Sequence, residues 1–138
     1  MTLVDTGPLV ALFDPKDSEH ERCSSTLGSI AGPLATTIPV LTEAFHTLPP
    51  DSMGSQALRE FVQENGLTIW FSDQLSLQRI FELMEQYSDH PMDMADASLI
   101  AAAEILETRR ILTLDRRDFS TYRIRKGHRF HPVEILPD

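Results

Sequence analysis

The chain has 138 residues, 41% of them apolar and 24% charged, which is enough for one domain with its own core and too few for two. No apolar run approaches the roughly 18 residues that span a bilayer, and the N-terminus has neither a basic n-region nor an apolar h-region, so no membrane segment or signal peptide is expected. A formal net charge of −9 opposes polyanion binding by the molecule as a whole, and the lone Cys23, with no partner for a disulfide, fits a reducing, cytoplasmic setting.

In chain order, residues 2–5 read as a short buried strand. Pro8 suits the first turn of a helix through Leu9, Val10, Leu12 and Phe13, and Asp14-Pro15 stops it. Asp17 or Ser18 caps a helix over roughly 18–30, ended by Gly32-Pro33. Residues 34–37 form a second strand, and a helix near 39–47 runs up to Pro49-Pro50. Asp51 or Ser52 caps the next helix, with Leu58, Phe61 and Val62 at helical spacing, and Asn65-Gly66 closes it. Residues 67–71 are β-rich around Trp70. Asp73 caps a long helix carrying Leu75, Leu77, Ile80, Phe81, Leu83 and Met84. Asp93 or Met94 opens an Ala-rich helix to about Thr108, residues 110–114 form a strand, and 133–136 form a last strand after an irregular basic segment. Strands alternating with helices predict an α/β fold with a mostly parallel sheet between helical layers, and no linker or repeat divides residues 1–138.

Four acids stand where an ionised carboxylate needs compensation. Asp5 closes the first strand, Glu43 lies inside the apolar stretch 38–45, Asp96 opens the Ala-rich helix, and Asp115 follows the strand Ile111-Leu112-Thr113-Leu114. In parallel sheets, ligands bind beyond the carboxyl ends of the strands, and a helix N-terminus favours a carboxylate. Three acids are therefore aimed at one rim for separate reasons. Mg2+ or Mn2+ prefers oxygen ligands and keeps several waters, so such a cluster suits it, and the neighbouring hydroxyls of Thr6 and Thr113 are placed to orient the ligands. The implied chemistry is metal-dependent cleavage of a phosphodiester.

Each acid also has a plainer reading. Asp5 fits a turn, Asp93 or Asp96 a helix cap, Glu43 a solvent-facing helix position, and Asp118 a turn after Arg116-Arg117. The five histidines show no zinc-ligand spacing, and no phosphate-binding Gly loop or nucleophile elbow is present. Charge is uneven: residues 1–108 carry 17 acids and 4 bases, and residues 109–138 carry 8 bases and 4 acids. Asp115 lies inside that basic stretch, so the acids and a polyanion-facing edge are neighbours in sequence.

Four segments occur in a fixed order: Val4-Asp5-Thr6-Gly7-Pro8-Leu9-Val10-Ala11-Leu12, the helix with Glu43, Met94-Ala95-Asp96-Ala97-Ser98-Leu99-Ile100-Ala101-Ala102-Ala103, and Leu112-Thr113-Leu114-Asp115-Arg116-Arg117-Asp118-Phe119. Together they resemble the PIN-domain family, in particular its VapC-type toxin ribonucleases and their standalone relatives, from Leu3 to about Leu136. The resemblance implies a three-layer α/β/α fold and a Mg2+- or Mn2+-dependent endoribonuclease whose acidic quartet is Asp5, Glu43, Asp96 and Asp115. Asp5 and Asp96 match the usual metal ligands, with Asp115 nearby and Glu43 acting through water. It also implies a cognate antitoxin partner and a homodimer. Gly7 departs from the family, where many members carry Asn or Ser.

Two functions follow. In the first, the acids direct attack on RNA while Arg116, Arg117 and the bases up to Arg129 hold flanking phosphates. In the second, the same fold has a silent metal site and works as a regulatory module through a protein partner. Other acidic-pocket phosphotransfer folds fit poorly, because Gly7 stands where a phosphatase of that type needs a second Asp.

Overall fold

The computed structural model describes all of residues 1–138. Seven strands and seven helices follow in the order β1 (Thr2–Val4), α1 (Thr6–Phe13), α2 (His20–Ser29), β2 (Leu34–Thr37), α3 (Ile38–Thr47), α4 (Met53–Gln63), β3 (Thr68–Trp70), α5 (Gln74–Gln86), α6 (Met94–Leu106), β4 (Arg110–Leu112), α7 (Arg116–Thr121), β5 (Arg123–Lys126), β6 (Arg129–Pro132) and β7 (Glu134–Leu136). Five strands form one sheet in the order β3-β2-β1-β4-β7, with every pairing parallel.

The chain steps outward from β1 to β2 to β3, then doubles back across the sheet to β4. Right-handed crossovers place helices on opposite faces when the direction of winding reverses. The reversal falls between β1 and β4, and it is there that a doubly wound sheet opens a crevice at its carboxyl edge. Asp5 follows β1 and Asp115 follows β4, so this topology sets both acids beside the crevice.

The centre of the sheet is fully apolar at Leu3, Val4, Ile111 and Leu112, all at most 1% exposed. Helix α6 is buried nearly all round, from Ala95 through Ala103 apart from Asp96. Small Ala side chains let it sit close to β2 and to helices α3 and α5. A helix apolar on every side belongs in a core, and this one presents its N-terminus to the crevice.

Local chemistry sets the ends of the helices. The Asp73 and Ser76 side chains cap each other's backbone N–H groups at the start of α5, the reciprocal arrangement of a capping box. Asp93, not Asp96, caps α6, accepting from the Asp96 N–H at 2.8 Å. Asn65 takes a left-handed conformation (φ 64°) after α4, and the Gly66 N–H returns to the Phe61 carbonyl, as helix ends commonly do.

The stretch expected to be irregular is ordered. Residues Arg116–Thr121 form the short helix α7, and Arg123–Lys126 pairs antiparallel with Arg129–Pro132 as a separate hairpin. Gly127, at φ 63°, supplies the left-handed position of its two-residue turn, a geometry that favours Gly. The expected strand 110–114 is shorter, ending at Leu112, because Thr113 and Asp115 turn away into the crevice, although the Thr113 N–H still reaches the Leu136 carbonyl at 2.8 Å.

Candidate active site at the carboxyl edge of the sheet

Asp5 is the one charged residue among the buried set, 9% exposed. It caps α1: its Oδ1 accepts from the Thr6 N–H at 2.8 Å, and its Oδ2 accepts from Thr113 Oγ1 at 2.7 Å. Thr113 Oγ1 in turn accepts from the Asp115 N–H at 3.1 Å. On the other side, Thr6 Oγ1 donates to Glu43 Oε1 at 2.8 Å. A continuous chain of hydrogen bonds thus links Glu43, Thr6, Asp5, Thr113 and the backbone of Asp115 across α3, α1 and β4.

Asp96 sits in the first turn of α6 and is half-buried. Its Oδ2 accepts from the Tyr122 hydroxyl at 2.9 Å. The Tyr122 ring is fully buried and packs edge-on against Phe119, Tyr87 and His90. Below the acids, Thr37 Oγ1 and Ser98 Oγ share a buried hydrogen bond of 2.7 Å, tying the start of α3 to α6.

The electrostatics bind these groups into one site. Burial pushes the Asp5 carboxyl from 3.8 to about 6; its hydrogen bonds from Thr113 and Thr6 pull it down, and the charges of Glu43 and Asp93 push it further up. Burial raises Asp96 to about 7, helped by repulsion from Asp5, Asp93 and Asp115 and opposed by the Tyr122 hydrogen bond. Asp115 is raised as well, first by burial. Asp118 is lowered by its contacts with Asp115 and His90. Asp5 is buried, Asp96 half-buried and Asp115 exposed, and carboxylates crowded together without a counter-charge resist ionisation.

The predicted positions are met unevenly. Asp5, Asp96 and Asp115 share the crevice and act on one another electrostatically. Glu43 does not belong to a buried interior as its apolar neighbours suggested: Val40 and Ala44 take the core face of α3, which leaves Glu43 exposed, and it joins the site through Thr6. Arg117 is exposed, but the Arg116 guanidinium donates to the Pro137 carbonyl at 2.6 Å and ties α7 to the C-terminal segment. Asp118 is no simple turn residue; it lies in the first turn of α7 and pairs with His90 at 2.6 Å.

Tyr122 and His90 were not legible as site residues. Each reaches the acids from 26 or more positions away, and neither belongs to a local pattern that marks it.

The oxygen-only donor set suits Mg2+ or Mn2+. No three His, Cys, Asp or Glu side chains converge closely enough to ligate one ion directly. An ion that keeps most of its water needs only one or two carboxylates. Asp5 and Asp96 could supply these, and a cation there would offset the burial and the neighbouring negative charge that raise both. A shallow hollow of about 420 Å³, lined by Thr6, Thr42, Glu43, His46 and Thr47, lies on the Glu43 side of the hydrogen-bond chain.

A parallel three-layer fold with acids gathered at its switch point defines a class of acidic-site α/β proteins. Within that class the chain belongs to the PIN domain family, whose model matches residues 2–124. It is 30% identical over 131 residues to Ribonuclease VapC26 of Mycobacterium tuberculosis, covering 93% of this chain and 96% of that one. Its fold is similar to that of the crystal structure of Mycobacterium tuberculosis VapC20, described as a sarcin-ricin loop cleaving toxin, with a TM-score of 0.77 at 15% identity over 86% of this chain and 92% of that one. A toxin-antitoxin complex from Klebsiella pneumoniae matches with a TM-score of 0.69 at 18% identity over 88% and 92%. FitAcB from Neisseria gonorrhoeae matches with 0.64 at 18% identity over 86% and 91%.

Proposed function

We propose that this chain is a Mg2+- or Mn2+-dependent endoribonuclease that works in the cytoplasm as the toxin of a toxin-antitoxin pair, with residues 1–138 acting as one domain. The observation that carries the reading is the buried Asp5 beside Asp96 at the switch point, two carboxyls whose ionisation is disfavoured until a cation joins them. The likeness to Ribonuclease VapC26 across nearly the full length supplies RNA as the substrate class.

Asp5 and Asp96 would hold the ion, and Asp115 and Glu43 would add negative charge around it. When bound, such an ion acidifies a water and steadies charge on the phosphate in transition. Thr113 and Thr6 fix both oxygens of Asp5, and Tyr122 fixes one oxygen of Asp96. Arg117 faces solvent beside Asp115 and contacts a flanking phosphate. The likeness to a toxin-antitoxin complex supports an antitoxin as the protein partner, and the homodimer is carried over from the family resemblance. No helix is long and apolar enough to cross a membrane.

The test is cleavage of structured RNA by the purified protein with Mg2+ or Mn2+. Activity in the wild type, lost at least a hundredfold (about 3 kcal/mol of transition-state stabilisation) in Asp5→Asn and Asp96→Asn, is the expected result. Cleavage that survives both substitutions overturns the proposal.

One observation favours the second reading, a regulatory module: no three acidic side chains meet at a point. A module with a silent site gains no thermal stability from Mn2+, whereas the nuclease does.

A further inference from the structure

The positive charge of the molecule collects in one place that the acidic crevice does not use. Residues 1–108 carry only four bases, of which Arg22 and Arg79 are already paired with glutamates. The hairpin β5–β6 carries Arg123, Arg125, Lys126 and Arg129 within seven positions. The Arg123 guanidinium is occupied by the carbonyls of Ser120, Thr121 and Tyr122 at the end of α7. Arg125, Lys126 and Arg129 are exposed and take part in no ion pair.

Phe130, 55% exposed, lies directly across the ladder from Arg125, so the ring and the guanidinium share one face of the hairpin. The exposed ring thus stands beside one free cation, Arg125, while Lys126 and Arg129 pair with each other at the tip of the hairpin and project from its other face. The hairpin has the make-up of a platform on which an unpaired base stacks while arginines and lysines hold the phosphates.

The hairpin is also fixed in relation to the acids. Glu104, eight residues beyond Asp96 on the same helix, accepts from the Arg125 N–H at 2.8 Å. At 1.5 Å per residue the offset along α6 is about 12 Å, the reach of three to four stacked nucleotides at about 3.4 Å each. Arg125 further borders two hollows, of about 440 Å³ with Leu75 and Ile105 and of about 340 Å³ with Arg109 and His131, which meet at Arg125 and Glu104. The basic edge is thus a second district, displaced from the crevice by two turns of α6.

We infer that the β5–β6 hairpin is a docking surface for single-stranded RNA, with a base stacked on Phe130, a phosphate held by Arg125 on the same face, and Lys126 and Arg129 meeting the backbone where the strand rounds the tip of the hairpin. The inference rests on the RNA reading above and adds where the strand leaves the cleaved bond. It calls for a substrate unpaired for several nucleotides to one side of that bond.

The experiment measures binding of a fluorescein-labelled oligouridylate by anisotropy in EDTA at several salt concentrations, so that no cleavage is needed. Phe130→Ala is expected to weaken binding about tenfold, Phe130→Tyr to bind like the wild type, and neither to change heparin binding. The triple variant Arg125→Gln/Lys126→Gln/Arg129→Gln is expected to reduce the slope of log affinity against log salt by about two and to weaken heparin as well. All these positions are exposed, so melting temperatures stay near that of the wild type. Three binding results overturn the inference: no binding by the wild type, wild-type affinity in both hairpin variants, or an equal loss of heparin and RNA in Phe130→Ala. The second leaves the hairpin to a different occupant, such as an acidic protein surface. RNA that binds without being cut with Mn2+ defeats the nuclease proposal alone, and RNA that is cut equally well by the hairpin variants defeats the docking surface alone.

Discussion

The phenol of Tyr122 makes one hydrogen bond, to Asp96, and that bond favours the ionised carboxylate against the burial that disfavours it. Replacing it with Phe keeps the ring packed between Phe119, Tyr87 and His90 and removes only the donor. Tyr122→Phe is expected to lower stability by about 1–2 kcal/mol, read from urea unfolding. It also raises the Asp96 carboxyl further, so that protons compete better with a cation. Calorimetric titration should show Mn2+ affinity falling below the present Asp96 value of about 7 and recovering above it; equal loss at all pH would point to a displaced ring instead. Asp5, Asp96 and Asp115 were legible in the sequence because each sits where a strand ends or a helix begins, and those places have physical meaning before any fold is known. Tyr122 was not, because it lies in a run of polar and basic residues whose burial depends on α5 and α6 closing over it. The exposure of Glu43 follows its plainer reading, because apolar neighbours at helical spacing bury one face of α3 and expose another.

At the level of elements, the long helices and central strands announced themselves through capping residues and apolar spacing, whereas α7 and the hairpin did not. Helix α7 has six residues and one buried side chain, Phe119, too little for a periodic signal. In the hairpin only Ile124 is buried, so alternation is nearly invisible beneath the charges. Its attachment is tertiary. Glu104, on α6, accepts from Arg79 Nε at 2.8 Å and Nη2 at 3.0 Å and from the Arg125 N–H, which joins α5, α6 and β5 through one carboxylate. The two charged side chains are only 14% and 9% exposed. Removing one partner of a largely buried pair strands the other. Glu104→Ala is therefore expected to destabilise the protein by about 3 kcal/mol in urea unfolding, and Arg79→Leu/Glu104→Leu to recover most of that loss. A single variant no worse than a surface substitution would show that the pair holds nothing together.

For the molecule as a whole, the raised carboxyls tie stability to pH. Asp5 at about 6 and Asp96 at about 7, against an ordinary 3.8, hold protons that the unfolded chain has already released. The folded state therefore gains least from these groups once pH exceeds both values, and stability is lost as pH rises from about 4 through about 7. A shift of about two units at Asp5 corresponds to about 3 kcal/mol, and Asp96, partly open to water, adds less. Thermal melts in EDTA should fall between about pH 4 and pH 7 relative to the doubly substituted Asp5→Asn/Asp96→Asn, which lacks these titrations. Mn2+ at a hundred times its dissociation constant should return about 2.7 kcal/mol to the wild type at the upper end and nothing to the variant; parallel curves for the two proteins would refute the linkage. The same architecture has a temporal side. The Asp5 side chain is clasped by Thr113, 108 residues further along, and β1 must wait for β4 before its second neighbour in the sheet exists. A growing chain made from its N-terminus has no finished crevice until Thr113 and Tyr122 have been added and folded back onto Asp5 and Asp96, and the ribosome handles an unarmed polypeptide until then.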